Sequence, residues 1–543
     1  MPDAVVVGAG HNGLVAANLL ADACWDVTVL EAEPDPGGAV RSGELTLPGF
    51  VHDRFSAFYP LAAASPVLRR LHLEEFGLRW RRSPLVLAHA ARGDWCPALS
   101  TDLSETAASL DFEAPGDGEA WRDLYGLWDR IGDKLIGALF TPFPPVVAGA
   151  RLAATLGPAG MVRFARLGLL PVRRLSEEDF VGTGAGLLLT GSALHADLSP
   201  ESAGSGLYGW LLACLGQQVG FPVPEGGSGR LVDALVARLE SKGGRLHCGV
   251  RVDRIVVRGG RAVAVRTVDG DEHPARRAVL ADVGAVGLYR DLVGFEHLPA
   301  GMADDLRRFQ YDSSTVKVDW ALDGPIPWTS EPARRAATVH VADGLDHFTE
   351  SSAELACGRI PSRPWLIIGQ MGVADPTRSP PGTETAWAYT HVPQRTRGDA
   401  GGDLKGVWDA GEGDAFADRI EAQVEAFAPG FRDLILGRYV ATPPVLESVN
   451  ANLVGGAVNG GTAQLHQQLV FRPTPGLGRP ETPVRHLYLA SASAHPGGGV
   501  HGGPGGNAAR AALAADAVRR RFIAVGAAGV VAGAGAKMAR RRR

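Results

Sequence analysis

The chain has 543 residues, 45% of them hydrophobic and 21% charged, a length and apolar content that call for two domains and exclude a disordered polymer. Its 54 Lys and Arg against 59 Asp and Glu leave a net charge of −5, so no global basic field exists for nucleic acid, and none is expected as a partner. In chain order, Ala4–Gly8 (AVVVG) reads as a buried strand meeting glycine, Asn12–Ala23 as an apolar helix, and Asp26–Glu31 (DVTVLE) as a second strand. This β-turn-α-β unit starts at once, with no basic region and apolar stretch of a secretory leader before it, and a cytoplasmic protein is expected.

From Asp133 to Glu177 no acidic residue occurs, while Lys134, Arg151, Arg163, Arg166, Arg173 and Arg174 punctuate apolar sequence. Packing as a helical cap is the favoured reading, and peripheral contact with an anionic membrane surface is the alternative. A helix over Gly229–Ser241 is followed by strands over Arg245–Cys248, Val252–Val257, Ala262–Thr267 and Val279–Ala281. Ser314–Trp328 and Ala386–Pro393 are strand-like and end at proline-bounded turns; His486–Ala490 is a strand feeding a glycine loop, and Asn507–Arg519 a helix.

These pieces predict an α/β fold, α+β overall, whose Rossmann-like nucleotide domain is discontinuous: residues 1–75, 225–295 and 480–521. Residues 76–224 and 296–479 form the inserted substrate domain, and 522–543 a Gly/Ala-rich basic tail. The tail's uncharged Phe522–Ala536 is too short and glycine-rich to span a bilayer. Cys24, Cys96, Cys214, Cys248 and Cys357 include no CxxC pair, which removes dithiol redox chemistry and thiolate metal sites; no metal is expected, and the thiols are expected to be small buried hydrophobes.

Gly8-Ala9-Gly10-His11-Asn12-Gly13 is GxGxxG in its proper setting, after a strand and opening a helix. Gly8 allows the tight turn, Gly10 lets backbone approach a pyrophosphate, and Gly13 lets helix and strand close, with Asn12 at the helix N-terminus. Glu31, at the end of the second strand, is placed to bind a ribose diol and argues against a 2′-phosphate. NAD and FAD remain open on this fingerprint alone. Gly37 and Gly38, with Arg41 behind them, offer a second close approach and a cation that suit a longer dinucleotide. Downstream, Ala494 to Asn507 is a glycine-dense loop containing His495-Pro496-Gly497-Gly498-Gly499-Val500, with Ala492 just before it also expected at the cofactor; so many glycines are read as close approach to a ligand, with Asn507 capping the next helix.

Together, GAGHNGLVAA, the Pro36-Gly37-Gly38 doublet, Gly49-Phe50-Val51-His52-Asp53, WALDGPIPW, WAYTHVP and LYLASASAHPGGGVHGGPGGNAA resemble the phytoene desaturase-like flavoproteins, and within them the branch named pyridine nucleotide-disulfide oxidoreductase domain-containing protein 2. The resemblance covers nearly the whole body. It implies an amine oxidase/carotenoid desaturase-like architecture with non-covalent FAD: Gly8, Gly10, Gly13, Glu31, Gly37, Gly38 and Arg41 on the ADP half, Val252 meeting the adenine through its backbone, and the HPGGGV loop lining the isoalloxazine. Ser491 and Ser493 stand where the family has glycine, and the missing CxxC supports no disulfide chemistry despite the branch's name.

The expected activity is FAD-dependent hydride abstraction from a small apolar, isoprenoid or polyene-like substrate, with oxygen or a quinone as acceptor. Flavin chemistry needs no dedicated acid or base; Tyr59 and His495 are the residues expected near the ring, with His391 a further candidate. A flavin amine oxidase, a flavin-dependent isomerase and a GDP dissociation inhibitor-like binding protein without redox activity are the rival readings.

Overall fold

The computed structural model describes residues 1–521; the Gly/Ala-rich basic tail, 522–543, lies outside them. Val and Ala runs too short for helices build the first sheet. β1 (Ala4–Val7), β2 (Val27–Leu30), β3 (Arg245–His247), β4 (Ala278–Ala281) and β5 (Leu487–Leu489) lie side by side in the order β5-β4-β1-β2-β3, every pair parallel. Strands drawn from the start, middle and end of the chain thus share one sheet. β1, β2 and β4 are buried along their whole length, as a parallel sheet covered on both faces requires. On one face sit α1 (His11–Asp22) and the Gly229–Ser241 helix; on the other, a three-stranded antiparallel meander over residues 252–274.

The second sheet has seven strands in the order Ile435–Ala441, Ser314–Leu322, Glu384–Val392, Leu366–Gln370, Ala336–Val341, Leu85–His89 and Ala98–Leu99. Its strands are antiparallel except where Leu85–His89 runs parallel to Ala336–Val341. The two-residue alternation of a strand sorts its faces. Val316, Val318, Trp320 and Leu322 pack outward against Phe416, Ile420 and Val424 of the Ala410–Glu425 helix. Trp387, Tyr389 and Ile367 face inward, toward Phe58 and the buried Gly184–Leu194 helix.

The remaining helices, Asp117–Leu139, Val146–Leu167 and Ser205–Val219 among them, form a cap whose large side chains, Trp121, Trp128 and Trp210, join the main core. Of the 22 residues of the Val146–Leu167 helix only Leu152 and Leu167 are buried. Cys96 and Cys214 are buried as expected, whereas Cys24 and Cys357 are exposed: both lie at turns following helices rather than in the core.

Candidate active site

β1 delivers the chain into Gly8, whose φ of +94° favours glycine. A Cβ on Gly13 would stand 2.2 Å from the Gly8 carbonyl oxygen, so α1 closes on the turn only with glycine there. The doublet lies directly on this turn. Gly37 N–H donates to the Ala9 carbonyl at 2.8 Å, Gly10 and Gly37 form a parallel bridge, and a Cβ on Gly38 would come within 3.1 Å of Gly10 Cα. Glu31, 8% exposed, accepts from Ala9 N–H through Oε2 (2.7 Å) and from Glu33 N–H through Oε1 (2.9 Å), with lone pairs left for further donors. Arg41 donates from Nε to the Gly38 carbonyl (3.1 Å) and from Nη2 to the Val449 carbonyl (2.6 Å), which holds its charge beside the doublet. Val252 opens the meander, paired with Thr267; Gly249 and Val250 are the residues whose N–H groups donate to the Glu33 and Glu31 carbonyls.

One member of this site escaped sequence reasoning. Asp282 follows β4, and its Oδ2 accepts from Gly13 N–H at 2.9 Å, close enough that a Cβ on Gly10 would meet it at 2.5 Å. Burial, reinforced by the nearby Glu31 charge and opposed by the Gly13 hydrogen bond, pushes its carboxyl up to about 7. The available signal was an acid placed straight after a buried strand.

The terminal loop corrects one expectation and adds a packing role to another. Gly497, Gly499 and Gly502 have positive φ, yet much of the glycine density serves chain–chain contact. Cβ atoms would stand 2.8 Å from the Asn459 carbonyl oxygen at Gly498, 2.8 Å from Val15 at Gly502, and 1.9 Å from the Asn12 carbonyl oxygen at Gly505. Asn507 does not cap the last helix, which begins at residue 503 with Pro504 in its first turn, where a missing N–H costs nothing. Asn507 is buried inside it, donating to the His495 carbonyl at 3.3 Å. The Ala492 carbonyl accepts from Arg472, and Val500 packs on the main core. Ser493 uses its hydroxyl within the protein, donating to the Gly460 carbonyl (2.8 Å) and accepting from Ala285 N–H (3.1 Å). His495 stacks edge-on against Phe143 beside Pro496, and burial pulls its imidazole down to about 4.

This arrangement fits a dinucleotide. Glycine cradles from two segments meet at one helix N-terminus, the Glu31 carboxylate stands beside them with lone pairs to spare, and buried Asn12 Oδ1, His11 Nε2 and His495 Nε2 have no hydrogen-bond partner in the protein.

The inner face of the seven-stranded sheet carries a second group of residues, an aromatic and aliphatic cluster. Phe58 lies 5.8 Å from Trp387, Trp387 stacks on Tyr389 at 6.1 Å, and Trp365 meets His391 edge-on at 5.4 Å, with Leu187, Leu194, Val223 and Ile367 around them. Tyr59 is not part of this surface. Its ring lies in the main core, and its hydroxyl is committed to Ser56, donating to the carbonyl at 2.8 Å; burial pushes the phenol well up. Phe58, its neighbour in the chain, packs on this cluster instead. His391 is buried with Nε2 unpartnered, 3.8 Å from Asp197 Oδ1. Sequence reasoning also missed Lys317, which is buried, ion-paired to Asp319 and 5.6 Å over the Trp387 ring, with His52 Nδ1 3.4 Å from the same carboxylate. Charged residues at alternate positions of an apolar strand were its signal. Among the described residues no group of His, Cys, Asp and Glu is set to hold a metal ion.

Comparison with known proteins joins these two halves. Residues 6–72 match the family model of an NAD(P)-binding Rossmann-like domain, and residues 158–364 that of flavin containing amine oxidoreductase. Pyridine nucleotide-disulfide oxidoreductase domain-containing protein 2 of Mus musculus is 29% identical, over 93% of this chain and 92% of that protein. The neurosporene-forming phytoene desaturase of Rhodobacter capsulatus is 24% identical over 92% and 91%. These matches make the chain an FAD-dependent oxidoreductase similar to amine oxidases and carotenoid desaturases. Cyclohexylamine oxidase from Brevibacterium oxydans shares the fold of this flavoprotein, with a TM-score of 0.59, 16% identity and coverage of 96% and 99%. No helix of the flavoprotein among the described residues is long and apolar enough to cross a membrane.

Proposed function

We propose that this flavoprotein removes hydride from a small apolar, isoprenoid or polyene-like substrate lying on the inner face of the seven-stranded sheet, with oxygen or a quinone taking the electrons. The observation that carries the reading is the make-up of that face, where Phe58, Trp365, Trp387 and Tyr389 stand among Leu, Val and Ile. A hydrocarbon gains by burial against such a surface, whereas an ionised substrate loses hydration there. Bound FAD supplies the hydride acceptor. The aromatic rings orient the substrate and exclude water, and Lys317 Nζ is the polar donor at the edge of the face. A second reading, amine oxidation, is favoured by Asp197 beside Tyr389 and His391, a carboxylate able to receive an ammonium group.

Anaerobic mixing of the FAD-loaded protein with polyenes and with primary amines decides between them. Polyenes should bleach the flavin absorption and yield a product lacking two hydrogens; bleaching by amines alone, with peroxide on re-aeration, establishes the second reading. Absence of bands near roughly 370 and 450 nm after reconstitution with excess FAD would falsify both.

We also propose that the Val146–Leu167 helix rests on an anionic membrane surface, from which an apolar substrate is drawn. Exposed Val146, Val147 and Val162 alongside exposed Arg151 and Arg163 support the contact.

A further inference from the structure

Behind the terminal loop lies a buried cation that the hydride-transfer reading leaves without a task. Arg472 is 1% exposed. Its Nε and Nη2 donate to the Ala492 carbonyl at 3.1 and 2.7 Å, Nη2 to the Asn459 carbonyl at 3.0 Å, and Nη1 to the Thr462 carbonyl at 2.9 Å. Longer bonds of 3.4 and 3.3 Å reach the Gly461 carbonyl. Every acceptor is a backbone carbonyl and none is a carboxylate. Burial pulls the guanidinium down to about 10, opposed by Tyr208 and Asp312, so it stays protonated at neutral pH.

A cation withdrawn from water without a counter-ion is costly, and carbonyl dipoles offset only part of that cost. Asp312 is a weak counter-ion: its Oδ2 is spent on the N–H groups of Val458 and Asn459, and burial with the Asp197 charge pushes its carboxyl up. The net positive charge therefore acts on its surroundings through a medium of low dielectric. Those surroundings are the terminal loop. A Cβ on Gly497 would lie 3.4 Å from Arg472 Cζ, and the Arg472 charge helps to hold down the imidazoles of both His495 and His501.

We propose that Arg472 is the fixed cation that balances the negative charge acquired by the flavin ring on reduction. The proposal rests on reading the HPGGGV loop as the wall of the isoalloxazine. Hydride leaving a substrate C–H carries two electrons and one proton to the ring, which gains one negative charge. The substrate loses a second proton from the neighbouring carbon to solvent, which completes its new double bond. A cation behind the loop stabilises the charged ring and shifts the equilibrium toward reduction.

The test is the reduction equilibrium of the FAD-loaded protein against a reference dye, for the wild type, Arg472→Gln and Arg472→Lys. Glutamine keeps hydrogen bonds to the carbonyls and removes the charge; lysine keeps the charge. The equilibrium constant for two-electron reduction should fall about tenfold or more in Arg472→Gln, a drop of about 30 mV, and stay within about threefold of wild type in Arg472→Lys. The wild type should take up one proton per two electrons between about pH 6 and pH 8. An Arg472→Gln protein that retains FAD at the wild-type potential overturns the proposal, as does uptake of two protons near the lower end of that range. If glutamine prevents flavin binding, the lysine variant and the proton stoichiometry decide alone. A wild-type chain that holds no FAD sinks the cofactor reading itself, whereas a loaded chain indifferent to Arg472 sinks only the role given to this residue.

Discussion

Two carboxyl groups at the fingerprint turn have opposite characters. Glu31 is held by two backbone N–H groups with capacity to spare, and Glu31→Ala should weaken FAD retention about tenfold or more on equilibrium dialysis, since it removes a ribose acceptor and leaves the Ala9 N–H without one. Asp282 is pushed up from 3.8 to about 7, so between those values the folded chain binds its proton more tightly than the unfolded chain does. Stability of the FAD-free protein is therefore lost as pH rises through that interval, by a few kcal/mol at most. Asp282→Asn should be the more stable protein at pH above about 7, with the difference fading toward about pH 4 in thermal melts. A larger gap at low pH would contradict the assignment. Glu31 was legible in the sequence because it belongs to the same short β-turn-α-β unit as the glycines. Asp282 was not, because only the parallel pairing of β4 with β1 brings it to the turn.

At the scale of elements, the glycines near the chain's end are a packing device as much as a ligand cradle. Gly505→Ala drives a methyl group into the Asn12 carbonyl and should cost about 2–3 kcal/mol in urea unfolding, with loss of bound flavin. Gly126→Ala, in a helix with nothing within 4 Å of its Cβ, should instead stabilise by roughly 0.5–1 kcal/mol. The strands of the first sheet were legible from their apolar runs, and the Gly229–Ser241 helix to the residue, but of the second sheet only Ser314–Leu322 and Glu384–Val392 were read as strands. The start of the last helix was misplaced because local capping chemistry pointed to Asn507, while Pro504 and the contact with α1 set the actual start. The commitment of the Tyr59 hydroxyl to Ser56 could not be read either, since it depends on how the chain turns locally.

For the whole molecule, the parallel sheet that carries the fingerprint turn and the seven-stranded sheet are built from interleaved stretches of chain, and Phe58 packs against the hydrophobic clusters of both. The sequence announced the cofactor because its glycines and carboxylate form a local pattern. It was silent on the aromatic face proposed for the substrate, whose residues come from distant segments and converge only in the fold. If the cap's Val146–Leu167 helix meets a membrane, replacing Val147 and Val162 together by Asp should reduce sedimentation with anionic liposomes about tenfold without altering the flavin spectrum. Failure of the unaltered protein to sediment with such liposomes would dispose of the contact.

The order β5-β4-β1-β2-β3 also has a consequence in time. A ribosome adds roughly 5–20 residues each second, so Leu489 emerges on the order of a minute after Val7. Until then β4 is left as an open sheet edge one strand from the fingerprint turn, without the loop that follows β5. A nascent chain released early cannot complete its cofactor seat, and flavin capture becomes one of the last events in the making of the enzyme.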